Sequence, residues 1–176
     1  MEDNYDISKL KKKKRVNSRA KGSTFERKIS QTLNDRLNTT EFSRSPGSGA
    51  FATTHTLPEH LKIYGDLITP ENFKYCIECK KGYNKENLYS LYNYSSDFWG
   101  FLEQCEKDSS KCDRIPMVIF KQDRQPTLAI IPSYVQTNKL QQYIEIYKEN
   151  PPFTKIVYRI YKFEDLLDDI DSFWVN

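Results

Sequence analysis

Residues 75–82, YCIECKKG, limit the possible folds more than any other stretch of this chain. Tyr75, Ile77, Cys76 and Cys79 favour a strand, yet Glu78, Lys80 and Lys81 sit at its end. A carboxylate and an ammonium placed where a sheet buries apolar groups cost on the order of several kcal/mol unless each is paired or binds something. Strand alternation puts Cys76, Glu78 and Lys80 on one face and Ile77 and Cys79 on the other, so the charges share a side and need a common purpose.

The rest of the chain supplies a setting for that strand. The N-terminal residues 1–21 have little apolar periodicity and are expected to form a flexible basic arm: from Lys9 to Lys28 ten Lys or Arg stand against one acid, Glu26. Such a run favours a polyanion, although a solvated tail or an import signal also fits. Order is expected from Gly22, with Ser23 as N-cap of a helix whose Phe25, Ile29, Leu33 and Leu37 recur every four residues. A short strand at Glu41–Arg44 and the loop-forming SPGSG follow. KIYGDLI and FKYCIECK then read as a β-hairpin around Thr69–Phe73, with Ile68 opposite Lys74.

Further on, the periodicity predicts a helix over Asp97–Lys107, strands at IPMVIFKQ and PTLAIIP, a helix over Tyr134–Lys148, a strand over Phe153–Tyr161 and a short acidic helix over Phe163–Ile170. The fold class is α+β, a mixed sheet flanked by helices, in a core of residues 22–132 with a helix-strand-helix extension at 133–176 packed on it. With 176 residues, one domain is enough. No apolar run is long enough to cross a bilayer and no secretory pattern opens the chain, which points to a cytosolic or nuclear compartment. In that setting the four cysteines read as buried thiols; Cys76 and Cys79, three apart on a strand, face opposite ways and make a poor zinc grip.

In the predicted hairpin register Asp66 falls on the Glu78 face, one diagonal step away, and a one-residue slip would send it to the other side. Two carboxylates that close repel unless a cation lies between them, and hard oxygen ligands suit Mg2+. Lys80 would stand beside the ion, where an ammonium orients or helps deprotonate an attacking water and offsets charge on a phosphorus centre. Glu26, at the border of the helix's buried face, can complete the cluster. Each residue has a plainer explanation as well. Glu26 ends an S-x-x-E capping box, Asp66 follows Gly65 as a turn former, and Glu78 with Lys80 makes a surface ion pair.

The ordered set KGSTFERKI, FSRSPGSGAF, GDLI and IECKKG resembles the archaeal-type Holliday junction resolvases of the PD-(D/E)xK nuclease superfamily, over about Lys21 to Pro132. That resemblance implies a restriction-endonuclease-like α/β/α core and Mg2+-dependent cleavage of four-way DNA junctions by a homodimer, with Mn2+ able to substitute. It implies Asp66, Glu78 and Lys80 as the catalytic core and Glu26 as the helix carboxylate assisting metal binding, with the Cys79 carbonyl as a further ligand. Arg27, Arg44, Ser45 and Ser48, with Lys21 and Lys81, would contact DNA. The phage-like bias towards Lys, Asn and Tyr suggests a viral version acting in host cytoplasm. Gly65 replaces the family's Pro, and the insert Phe51–Tyr64, which carries His55 and His60, is long. A restriction-like or repair nuclease acting on duplex or other branched DNA, and a non-cleaving DNA-binding module, are the alternatives. The tyrosines of KKGYNKENLYSLYNY are expected to pack, in the core or at a dimer seam with Phe98, Trp99 and Phe101, or else to stack on bases.

Overall fold

The computed structural model describes residues 18–46, 64–139, 141–150 and 154–176. Its centre is a five-stranded mixed sheet in the order β3-β4-β5-β7-β6, formed by β3 (Tyr75–Lys81), β4 (Ile115–Lys121), β5 (Thr127–Pro132), β7 (Thr154–Lys162) and β6 (Tyr143–Asn150). β3 and β4 run parallel, with Glu78 opposite Val118; the other neighbours are antiparallel. The parallel pair needs a crossover, which is supplied by α2 (Leu88–Tyr92) and α3 (Asp97–Ser109). A separate two-stranded ribbon pairs β1 (Ser43–Arg44) with β2 (Leu67–Ile68).

Both faces of the sheet are covered, which gives the three layers expected of an α/β/α core. On one face α1 (Ser18–Leu37) lays Phe25, Ile29 and Leu33 against Tyr75, Ile77, Met117 and Ile119. The C-terminal helices α4 (Phe163–Leu167) and α5 (Asp171–Trp174) complete that layer with Phe163, Leu166 and Trp174. On the other face α3 packs Phe98, Phe101, Leu102 and Cys105 against Val118, Phe120, Ile130 and Ile160. The period of two along the strands and of about 3.6 along the helices accounts for both cores.

Three expectations are corrected. α1 begins at Ser18 and not Gly22, so Ser23 lies inside the helix and donates to the Ala20 carbonyl at 3.3 Å; the capping-box explanation of Glu26 falls with it. Residues 1–17 of the expected arm lie outside the described residues.

The predicted hairpin does not form, because β2 pairs with β1, in the register Ser43 opposite Ile68. Thr69 and Pro70 turn the chain away, pinned by the Arg114 guanidinium on the Thr69 hydroxyl and the Pro70 carbonyl. Proline supplies no N–H to extend a ladder. The place beside Phe73 and Lys74 is taken by the C-terminus: Phe73 bridges to Val175 and the Lys74 N–H donates to the Trp174 carbonyl at 2.9 Å.

The segment expected to be helical over Tyr134–Lys148 contains strand β6, whereas the acidic helix forms as α4 over Phe163–Leu167 and is followed by α5. Tyr143 and Tyr147 suit one helical face, but Ile and Tyr also favour strands, and β7 provides matched partners. Tyr143 stands opposite Tyr161, with rings 5.5 Å apart, and Glu145 opposite Arg159, with an ion pair of 3.3 Å.

The C-terminal segment is therefore part of the core. Arg36 of α1 holds it through the Leu167 and Asp169 carbonyls and the Asp171 carboxylate, and Trp174 is fully buried against Phe73, Tyr75, Phe163 and Phe173. Trp174→Ala is expected to destabilise the protein by about 3–5 kcal/mol, read as a shifted midpoint in urea unfolding.

Candidate active site

β3 is an edge strand of the sheet, so one row of its backbone groups faces away from β4. Asp66 fills that edge. Its N–H donates to the Ile77 carbonyl at 2.8 Å, and its Oδ2 accepts the Cys79 N–H at 2.8 Å. The N–H and C=O of one strand residue point the same way, so the Cys79 carbonyl lies on the Asp66 edge as well. Asp66 thus reaches the site through an edge staple in place of the predicted ladder, and its carboxylate still lands beside Glu78.

Gly65 makes this approach possible. Its φ is +76°, and a Cβ there would lie 2.6 Å from the Ile77 carbonyl oxygen and 3.1 Å from the Cys76 sulfur. Proline, fixed near −65°, cannot adopt that backbone, so the Gly-for-Pro departure reshapes the path into Asp66. The neck of the 46–64 segment closes at the same point: the Ser45 N–H donates to the Asp66 carbonyl at 2.9 Å and the Ser45 hydroxyl to the Gly65 carbonyl at 3.1 Å.

Glu78 and Lys80 share the α3 face of β3, as strand alternation predicts. Both are largely buried, and the ammonium lies 2.5 Å from the Glu78 carboxylate. α3 completes the cage: Lys80 Nζ donates to Gln104 Oε1 at 3.1 Å and sits 5.1 Å over the Phe101 ring. Gln104 is a site residue that the sequence reading missed. Its signal was the helical spacing that sets the exposed Gln104 beside the buried Phe101 and Cys105, at the rim of the packed face.

Glu26 projects from α1, is buried, and pairs with Arg44 at 2.5 Å. Among the other expected DNA contacts, Arg27 is exposed, Lys21 lies 3.6 Å from Asp123, and Lys81 lies over the Phe25 ring at 5.9 Å. Ser45 is buried and engaged at the neck. Ser48, His55 and His60 lie outside the described residues. The four cysteines are free thiols, three of them buried, and burial raises the Cys79 thiol well above its ordinary range.

The electrostatics follow from two carboxylates held out of water. Burial, then the nearby Glu78 charge, pushes Asp66 up to about 7 despite the Cys79 N–H. Burial also raises Glu78, against the opposing pull of Lys80. For Lys80 burial works the other way, but Glu78 outweighs it and holds the amine in its charged form.

Among the described residues no three His, Cys, Asp or Glu side chains are grouped closely enough to form a ready-made metal cage. The donor chemistry nevertheless fits a divalent ion that keeps most of its water: two buried carboxylates and a strand carbonyl, all hard oxygens, at a place where added positive charge relieves repulsion.

Two buried carboxylates at the outermost strand of a mixed sheet, with a lysine two residues after the second and helices on both faces, are the arrangement of the PD-(D/E)xK superfamily. The family model described as "Phage putative PDDEXK endonuclease" matches residues 17–175, and the chain belongs to that phage endonuclease family. Protein D14 of Escherichia phage T5 is 34% identical over 124 residues, covering 67% of this chain and 72% of D14. No solved structure matches the chain.

Two outcomes test this geometry. Gly65→Ala is expected to cost about 1–3 kcal/mol and to lower activity by displacing Asp66, whereas Gly100→Ala, at an exposed helical position where a Cβ meets nothing within 4 Å, leaves activity intact. Because the folded-state pKa of Asp66 is raised, the folded protein binds the extra proton between about pH 4 and 7. The metal-free protein should therefore lose on the order of 2–4 kcal/mol as pH rises through that window, and Asp66→Asn should flatten the loss. Urea unfolding in chelator at pH 5 and pH 8 checks this; parallel profiles for the two proteins would contradict it.

Proposed function

We propose that this protein is a divalent-metal-dependent endodeoxyribonuclease that nicks branched DNA, four-way junctions foremost, as a homodimer in host cytoplasm. The observation that carries the reading is that Asp66, anchored at the edge of β3, feels the charges of Glu78 and Lys80, which pair on the α3 face of the same strand. Membership of a phage endonuclease family supports the reaction class. Retaining buried charges that cost stability argues against a non-cleaving module.

In this reading Asp66, Glu78 and the Cys79 carbonyl hold the ion, Mg2+ ordinarily and Mn2+ as a substitute, with Glu26 assisting from α1. The bound ion supplies polarisation of the phosphate and a more acidic water. Lys80, held as an ammonium by Glu78, is a charge stabiliser for the pentavalent phosphorus and not a proton acceptor. Gln104 and the Phe101 ring position its Nζ. Arg44 projects from the neck beside Glu26, and together with Lys21, Arg27, Ser48 and Lys81 it meets the phosphate backbone, which makes affinity fall with salt. Ser45 is assigned to the neck, as a positioning residue.

The positive φ at Gly65 departs from the Pro-containing resolvase pattern and favours, as a second reading, a restriction-like or repair enzyme with looser junction preference. A synthetic four-way junction and a linear duplex of equal length, each with and without Mg2+, separate the two. Paired symmetric nicks in the junction are expected, while equal duplex cutting would favour the second reading. Glu78→Gln should lower cleavage about a hundredfold or more while DNA binding persists; near-normal metal-dependent cutting would remove Glu78 from its role.

A further inference from the structure

The segment that follows the catalytic strand holds large aromatic side chains out in water on a fixed backbone. α2 buries none of its residues, and Leu88, Tyr89 and Tyr92 are 70%, 82% and 83% exposed. The backbone beneath them is tied down at every step. Asn87 and Ser90 form a reciprocal cap, and the Glu86 carboxylate accepts the Ser90 and Ser96 hydroxyls. The Gln122 amide donates to the Tyr83 and Glu86 carbonyls, and Asn84 and Asp123 are bonded twice. Tyr83 and Tyr94, on either side of α2, both sit at positive φ, 52° and 53°, which bulky residues rarely adopt. Ordered apolar surface displayed in this way marks a binding face.

Its place and charge select the occupant. Tyr83 packs edge-on against Phe101 at 4.7 Å, and the same ring lies under Lys80 Nζ at 5.1 Å, so the segment starts at the active site. Residues 80–96 carry Lys80, Lys81 and Lys85 against one acid, Glu86, which is already engaged by two hydroxyls. Planar apolar faces among positive charges suit unstacked nucleobases on a phosphate backbone. A second copy of the same face would bring lysines against lysines.

We infer that Tyr89 and Tyr92, with Tyr83 as the link to the site, form a stacking platform for bases exposed beside the scissile phosphate. In a paired duplex the base faces are hidden, so the platform favours DNA with splayed or unpaired bases. The inference rests on the nuclease reading and names the structural feature by which that nuclease selects DNA.

The test uses the full chain carrying Glu78→Gln to prevent cutting, with branched DNA labelled by 2-aminopurine at the branch point and a matched duplex. Adding Tyr89→Ala and Tyr92→Ala is expected to weaken branched-DNA binding about ten- to a hundredfold, abolish the quenching of the reporter base, and leave both the duplex Kd and the salt slope unchanged. The Tyr→Phe pair should retain binding and quenching. Equal losses on duplex and branched DNA, no loss on either, or a changed sedimentation state with unaltered DNA binding would overturn the platform. Absence of metal-dependent cutting by the unmutated protein, with quenching intact, would overturn the nuclease reading and leave the platform standing.

Discussion

The hydrogen bonds between Asp66 and the outer edge of β3 fix everything else at this site. An edge strand presents unpaired donors and acceptors to water or to another chain. Here the backbone of Asp66 takes the Ile77 carbonyl and its side chain takes the Cys79 N–H, so the edge is closed by a carboxylate of the candidate site. One contact set both finishes the sheet and positions the acid. Because Oδ2 is anchored, the carboxylate stays beside Glu78 despite their repulsion, and burial of the pair raises both. The site stores an unfavourable charge arrangement that positive charge relieves, and Lys80 supplies one such charge from within the strand itself.

Much of this was legible because it is local. The alternation along YCIECKK puts Glu78 and Lys80 together on any twisted strand, and both do lie on the α3 face. The helix carrying Glu26, the paired β4 and β5 and the layered α+β architecture also follow from short-range periodicity. What stayed hidden depends on distant partners. Nothing near Thr69 reveals that the C-terminus will occupy the place beside Phe73, yet that, with Pro70, is why no hairpin forms. Likewise Tyr143–Asn150 has enough helical spacing to mislead, and only cross-strand pairs with β7 decide for a strand.

The start of α1 was misjudged for a related reason. Ser23 and Glu26 have the spacing of a capping box, but Ser18–Gly22 continue the helix, so Glu26 is held by Arg44 in place of a cap. Its carboxylate stays with the site, now through an ion pair from the β1–β2 ribbon. Arg36, near the other end of the same helix, holds the chain's last helices. One helix thus contacts the C-terminal layer through Arg36 and carries Glu26 towards its other end.

The clasp formed by Ser45 with Gly65 and Asp66 has a corollary for chain length. The chain leaves the ribbon at Ser45 and returns at Gly65, and Ser45 is bonded both to Gly65 and to Asp66 at the edge of β3. Closing a longer loop adds only a slowly growing entropic term. A change in length between Ser45 and Gly65 thus carries a small entropic cost, while these hydrogen bonds keep the Asp66 carboxylate in register with β3.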